Sequence, residues 1–206
     1  FIFNLVINFN ITKYIIRGRI FMNNELNLIL LLFEGHDLHN QNHAHKTAIF
    51  AEMMAEELKM SKSEGETLKK GALLHDIGKL MLPHDILNKP RKLDQIEKEV
   101  VSEHPEIGAN LLEEAGYDQK IVEIAKYHHE WWDGSGYPEG LIENNIPLMA
   151  QIISVISAFD VMTSSNIYSS IKTVEDALEE LEAYSGIQFS PNLVEIFSRI
   201  VKREIL

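Results

Sequence analysis

The chain has 206 residues, of which 45% are hydrophobic and 24% charged, a composition typical of a folded globular protein and not of a disordered chain. It contains no cysteine, which excludes disulfides and thiolate metal sites and fits a reducing, cytoplasmic location. The formal net charge of -12 argues against binding to a nucleic-acid polymer, because such binding requires a basic surface. A small anionic ligand still fits if metal ions supply positive charge locally.

The first residues do not resemble the rest of the chain. Residues 1–24 are interpreted as an N-terminal extension and residues 25–206 as the single domain. The apolar stretch at the start is interrupted by Asn4, Asn8 and Asn10, and it falls short of the roughly 20 apolar residues that a membrane span needs. Two interpretations stay open: a cut membrane segment, or a misassigned start with Met22 as the initiator, of which the second is preferred.

Apolar residues recur at helical spacing through most of the domain, and strand patterns are scarce. The alanines from Ala44 to Ala55 fall on one helical face. The stretches 80–92 and 130–145 contain the Gly and Pro residues typical of loops, and each follows a histidine-bearing helix. The pattern therefore predicts an all-α fold with a site at these loops. Predicted helix starts are Ser63, Asp94 with Glu97, Thr173 with Asp176, and Ser190-Pro191.

Two histidine motifs suggest metal chemistry. His75 and Asp76 are adjacent, and imidazole nitrogen and carboxylate oxygen are suitable ligands for Zn, Mn or Fe. Lys79 follows one helical turn after His75, where its ammonium can hold a phosphate oxygen. His128 and His129 form a second adjacent pair, which can place one ring on each of two ions.

The remaining histidines are weaker candidates. His45 lies near the alanine face and His104 lies on another helix, and either alone is more typical of a core or surface residue than of a ligand. They become candidates only together with the two motifs. Four histidines in polar stretches are interpreted as non-ligands: His36, His39, His43 and His84.

The strings LLHDIGK, ILNKPRKL, HPEIG and YHHEWWDGSGYPEG, in this order, resemble the HD-GYP family over about residues 43–197. The resemblance implies an HD-superfamily helical bundle with two or three divalent metal ions, often Fe or Mn, at its centre. It also implies a phosphodiesterase that converts cyclic di-GMP into a linear dinucleotide or GMP. A diguanylate cyclase or other signalling protein, and a second copy of the chain, are candidate protein partners. Carried over by position, the metal ligands would be His45, His75, Asp76, His104, His128 and His129, with Lys79 on phosphate and Gly136, Tyr137 and Pro138 beside the substrate.

The chain departs from the family at a metal position. Ser157, in ISAFDVM, stands where the family usually has a ligand Asp, and serine is a poor metal ligand. Asp160 matches the second Asp of the same family pattern. It lies three residues further on the same helical face and is therefore included among the candidate metal ligands. It would have to reach the ion from about 5 Å along the helix.

Other departures replace charged residues of the family with uncharged ones, near the first histidine and at the end of the later helix. Ala48 stands where an Arg usually follows that histidine by three residues, and Gln41 replaces a Glu found in family members with three metals. Asn166-Ile167-Tyr168 replaces the usual Arg-Pro-Tyr. The changes at Ala48 and Asn166-Ile167-Tyr168 predict the loss of two phosphate-contacting cations. Gln41 predicts two bound divalent ions at most, and Ser157 predicts that one of them is weakly held.

Three functions are compatible with these residues. The first is an active phosphodiesterase, and the second is a catalytically weakened or inactive module that binds cyclic di-GMP or a protein partner. Ser157 keeps the second open. The third, an HD hydrolase acting on another nucleotide, is disfavoured by the Gly136-Tyr137-Pro138 loop.

Overall fold

A computed structural model describes residues 35–37, 42–164 and 171–206. In this part of the chain the predicted all-α fold is confirmed, because the regular structure is helical and β-pairing is limited to two isolated bridges. Two short 3-10 helices span Ile77–Met81 and Glu143–Asn145. The α-helices are α1 His43–Glu57, α2 Lys62–Leu74, α3 His84–Leu87, α4 Gln95–Val101, α5 His104–Glu114, α6 Gln119–Tyr127, α7 Leu148–Thr163, α8 Val174–Ala183 and α9 Pro191–Glu204.

Helix starts follow local hydrogen bonding. The predicted capping box before α4 is confirmed, with the Glu97 amide donating to Asp94 and the Asp94 amide donating to Glu97, each at 3.0 Å. The prediction that Ser63 caps α2 is wrong, because Ser61 is the cap. Ser61 has a glutamate three residues later, at Glu64, so the two can cap each other's backbone amides.

The core joins α1, α7 and α9 through three aromatic rings. Phe50, Phe159 and Phe197 pack edge to face, with ring centroids 5.2 to 5.6 Å apart. The predicted alanine face of α1 is buried, and the small side chains let α1 approach α2 closely. The described part contains no helix that is long and apolar enough to cross a membrane.

The packing of α2, α5 and α6 brings three histidine-bearing segments together. His75 and Asp76 occupy the junction between α2 and the 3-10 helix Ile77–Met81, which packs against α5. His104 is the first residue of α5, and His128 and His129 directly follow α6, which packs on both α2 and α5. Helix ends therefore converge on one small volume.

Gly78 permits the close contact between the His75-Asp76 segment and α5. A Cβ atom at this position would lie 2.0 Å from the His104 carbonyl oxygen and 2.6 Å from the Gly108 amide nitrogen. Both are backbone atoms, which cannot move aside as a flexible side chain can. Any side chain at residue 78 would therefore push the His75-Asp76 segment away from His104.

We expect Gly78→Ala to lower the free energy of unfolding by about 1–3 kcal/mol, the usual cost of overpacking. The matched control is Gly65→Ala inside α2, where a Cβ would meet only the Ala55 Cβ at 3.6 Å. That change should stabilise the helix by about 0.5–1 kcal/mol. Urea unfolding of both variants measures the difference, and equal effects would contradict the close-approach argument.

Candidate metal and catalytic site

The Asp76 carboxylate lies between two sets of histidines. Its Oδ2 faces one set, at 4.0 Å from His43 Nε2 and 3.6 Å from His75 Nε2. Its Oδ1 faces the other, at 3.1 Å from His104 Nε2 and 3.6 Å from His128 Nε2. We call His43, His75 and Asp76 the first ligand group, and Asp76, His104, His128 and His129 the second. Within each group the candidate ligand atoms lie within 4.8 Å of one another.

The spacing of these atoms fits coordination to an ion. The Nε2 atoms of His43 and His75 are 3.2 Å apart, and those of His104 and His128 are 3.4 Å apart. Two ligands that each lie about 2.1 Å from one ion are separated by roughly 3.0 to 3.4 Å in octahedral or tetrahedral geometry. Asp76, with one oxygen on each side, can bridge two ions.

The imidazoles are oriented by hydrogen bonds at the nitrogen that points away from the centre. A carbonyl oxygen only accepts, so the Nδ1 facing it carries the proton and Nε2 keeps its lone pair. Such partners fix the tautomer and the direction of a metal-binding histidine. Three rings donate to carbonyls on the preceding helical turn: His75 to Ala72 at 2.8 Å, His104 to Val101 at 2.6 Å and His128 to Ala125 at 2.9 Å.

These inward lone pairs explain why the site suits a cation. His75, His104 and His128 are each no more than 2% exposed, so little water can reach their inward-facing Nε2 atoms to donate hydrogen bonds. Burial lowers the pKa of His75 well below its usual range, although Asp76 opposes this shift. Burial likewise lowers the pKa of His129 well below its usual range. A set of imidazoles arranged around one buried carboxylate fits divalent metal ions.

Lys79 contacts the same carboxylate. Its Nζ lies 2.6 Å from Asp76 Oδ2 and 4.0 Å from Asp37 Oδ2. Burial alone would raise the pKa of Asp76, but Lys79 and the facing imidazoles outweigh it and hold that pKa well below its usual value. Burial would lower the pKa of Lys79, but the two carboxylates raise it above the usual value. Lys79 is therefore a fixed positive charge at the edge of the site.

The structure places His43 in the first ligand group, whereas His45 belongs to neither group. Residues two apart on a helix point about 200° apart, so only one of these two rings can face the centre. Sequence reasoning missed His43 because it sits in a polar stretch. One pattern could have identified it: Lys46, a cation, follows His43 by three residues, where the family usually has Arg. Gln41 and Asn166-Ile167-Tyr168 lie outside the described residues, so the metal count predicted from Gln41 stays a prediction.

Asp160 is also outside both ligand groups. Its Oδ2 instead accepts a hydrogen bond from His43 Nδ1 at 2.7 Å, on the far side of the ring from the ligand atoms. Ser157 places its Oγ 3.3 Å from His43 Nε2, at the first ligand group. The residue at the family's ligand position thus faces the centre but offers a hydroxyl.

The 130–145 loop forms one wall of the site. Tyr137 stacks on His129 with ring centroids 4.9 Å apart, and its amide donates to the His129 carbonyl at 3.1 Å. Gly136 has no room for a side chain, because a Cβ would lie 2.2 Å from the Trp131 amide nitrogen. Pro138 follows with a cis peptide bond. Of the three loop residues proposed from the sequence, Gly136 and Tyr137 therefore lie directly beside His129, and Pro138 is the next residue along the loop.

Glu130, which sequence reasoning missed, holds this loop closed. Its carboxylate is 2% exposed and accepts from the amides of Glu139, Gly140 and Leu141 at 2.7, 3.1 and 3.0 Å. An acid directly after the histidine pair and before a glycine-rich turn is a pattern that could have indicated this role, because a tight turn leaves amides that need an acceptor.

A family model described as HD domain matches residues 31–193. This chain belongs to the HD domain family. HD domains are metal-dependent, and both ligand groups could hold an ion. The predicted HD-GYP resemblance is confirmed by the relatives of the chain.

The chain is 38% identical to a cyclic di-GMP phosphodiesterase of Thermotoga maritima over 179 residues, covering 86% of this chain and 49% of the relative. It is 37% identical to the 3'3'-cGAMP-specific phosphodiesterase 2 of Vibrio cholerae, covering 75% of this chain and 30% of the relative. A solved cyclic GMP-AMP phosphodiesterase of V. cholerae shares the fold, with a TM-score of 0.68 and 22% identity over 87% of this chain and 49% of that one. The chain thus spans at most half the length of these relatives.

Substitution of the two neighbouring histidines tests the assignment of the first ligand group. We expect His43→Gln to bind less metal than the wild type, because it removes one of the three ligands of the first group, and His45→Gln to bind as much metal as the wild type. Elemental analysis of protein dialysed against Mn²⁺ measures the metal content. Loss of metal in His45→Gln but not in His43→Gln would restore His45 as the ligand.

Proposed function

We propose that the domain is a metal-dependent phosphodiesterase that hydrolyses cyclic di-GMP to a linear dinucleotide, GMP or both. The observation that supports this most directly is the single carboxylate, Asp76, shared between two histidine groups and contacted by Lys79. A phosphodiester carries negative charge that increases as water attacks phosphorus, so a cluster of cations on one side of the bond favours the reaction. The relatives named as cyclic di-GMP and 3'3'-cGAMP phosphodiesterases support the substrate class.

The metal assignment is part of the same proposal. We propose two divalent ions, Fe or Mn, held by His43, His75 and Asp76 on one side and by Asp76, His104, His128 and His129 on the other. Such ions, when bound, lower the pKa of a water molecule and neutralise charge on the phosphoryl oxygens. Lys79 adds an ammonium that can hold a non-bridging phosphate oxygen.

The loop residues are proposed to shape the substrate side. The Tyr137 ring is part of the wall beside His129, and burial raises the pKa of its hydroxyl, so the phenol stays neutral in the physiological range. A neutral aromatic wall next to a cationic centre suits a nucleotide, which presents a flat base and a phosphate. Gly136 and Pro138 set the position of that wall. A diguanylate cyclase or other signalling protein as partner, a homodimer and a cytoplasmic location stay predictions.

The enzyme proposal is tested by turnover. Purified protein loaded with Mn²⁺, or with Fe²⁺ under anaerobic conditions, is incubated with cyclic di-GMP and with 3'3'-cGAMP, and linear products are separated by chromatography. We expect metal-dependent product formation, removed by chelation and reduced at least 100-fold in Asp76→Asn, since a misplaced or missing catalytic group costs on that order. Absence of product from both substrates would overturn the proposal.

A binding module with weak or absent activity is the second candidate, and the contact of Ser157 with His43 favours it. The first ligand group has three members, and the residue that would complete it offers a hydroxyl 3.3 Å from His43 Nε2. A neutral hydroxyl neither cancels the charge of an ion nor binds it strongly. The weaker ion is therefore expected in the first ligand group.

We expect Ser157→Asp to raise both metal occupancy and turnover, because the added carboxylate fixes the position of the ion in the first ligand group. Turnover should rise by roughly 10- to 100-fold. Ser157→Asn is the matched control, with similar size but no charge, and should give little gain. Metal analysis and initial rates are measured on the same samples. Higher occupancy without faster turnover would favour the binding module.

A further inference from the structure

The residue behind His43 differs chemically from those behind the other inward-facing histidines. His75, His104 and His128 donate their Nδ1 proton to neutral backbone carbonyls. His43 donates instead to the carboxylate of Asp160, at 2.7 Å, and Asp160 is 3% exposed. Hydrogen bonds to a carboxylate are roughly twice as strong as those between neutral groups, and they make the imidazole a stronger metal donor.

The same Asp160 carboxylate is held away from the ligand atoms. Its Oδ1 accepts from the Ser164 hydroxyl at 3.0 Å and lies 3.4 Å from Lys46 Nζ, which itself donates to Ser164 at 2.7 Å. The N–H of His43 and the ammonium of Lys46 both face this buried carboxylate, so each of its oxygens has a positive or donating partner. One carboxylate oxygen of Asp160 contacts His43, and the other contacts Ser164 and Lys46. Asp160 can therefore influence a bound ion only through the imidazole of His43.

Ser157 and Asp160 contact opposite nitrogens of this one ring. Both lie on α7, one turn apart, with the Ser157 hydroxyl near Nε2 and the Asp160 carboxylate on Nδ1. The first ligand group therefore has no carboxylate on its metal side at residue 157, and it has one on the outer side of the same histidine, at Asp160.

We propose that Asp160 is a positioning residue that acts through His43, and that its charge partly compensates for the missing carboxylate at Ser157. The inference rests on the proposed metal site. It has a specific consequence: the importance of Asp160 should depend on which residue occupies position 157. A purely structural role for Asp160 would not depend on it.

The test is a metal-binding cycle over four proteins: wild type, Asp160→Asn, Ser157→Asp and the double variant. Each is stripped of metal and titrated with Mn²⁺ in a calorimeter. In the wild-type background Asp160→Asn should weaken the lower-affinity event about 10- to 100-fold, the usual effect of removing an outer partner of a ligand. It should leave the higher-affinity event, assigned to the second ligand group, unchanged. In the Ser157→Asp background the same change should cost much less.

Asp176→Asn is the control for the chemical change, since Asp176 is exposed on α8 and should affect neither event. Thermal unfolding of the metal-free proteins monitors general destabilisation. Equal weakening of both events, or no weakening, would overturn the positioning role. An equal loss in both backgrounds would overturn the compensation.

If Asp160→Asn does not fold, the contact can be observed in the wild-type domain. A downfield imidazole proton in the NMR spectrum that disappears in His43→Gln is expected from a buried histidine-carboxylate pair, and its absence would contradict the proposal. Failure of the enzyme proposal is separable, since it shows as lack of turnover in all variants while the metal-binding cycle keeps its pattern. If this inference fails, the enzyme still turns over cyclic di-GMP, but Asp160→Asn has no selective effect on the lower-affinity metal-binding event.

Discussion

The buried carboxylate of Asp76 organises the structure around it. A carboxylate that is 4% exposed would be unfavourable without cationic partners, and Lys79 provides one at 2.6 Å. Imidazoles from α1, the α2 junction, α5 and the end of α6 approach its two oxygens from opposite sides. The fold must therefore bring four separate segments to one point. The glycine at residue 78 is needed because the backbone of one segment touches that of another.

The orientation of the rings depends on helix ends. A helix leaves its last carbonyls without intrahelical partners, and the histidines that follow α2 and α6 use carbonyls of the last turn, at Ala72 and Ala125, as acceptors. The hydrogen bond that completes the helix end thus also fixes the tautomer of the ligand. A histidine at a helix end is therefore brought near a loop and is also held in one tautomer and orientation by the helix carbonyl.

Local patterns in the sequence predicted the all-α fold and the two motifs at His75-Asp76 and His128-His129, because adjacent ligand residues and glycine-rich loops are visible without knowledge of packing. The choice between His43 and His45 depends on helix register, because both are buried on α1 and only His43 faces Asp76. Lys46, three residues after His43, is a local signal for this choice, whereas the contact of His43 with Asp160 on α7 depends on packing. Glu130 was missed for a related reason, since its three amide partners are 9 to 11 residues away.

The two ligand groups are unequal, and the inequality lies on α7. The second group has three imidazoles besides the shared carboxylate, whereas the first has two and a hydroxyl nearby. In the first group the negative charge of α7 reaches the site only through a ring, because Asp160 is bound on the outer side of His43. Charge transmitted through an imidazole strengthens the donor without occupying a coordination position. If the first group holds an ion as proposed, its two imidazoles and the shared carboxylate would leave a coordination position for a water molecule or a phosphate oxygen.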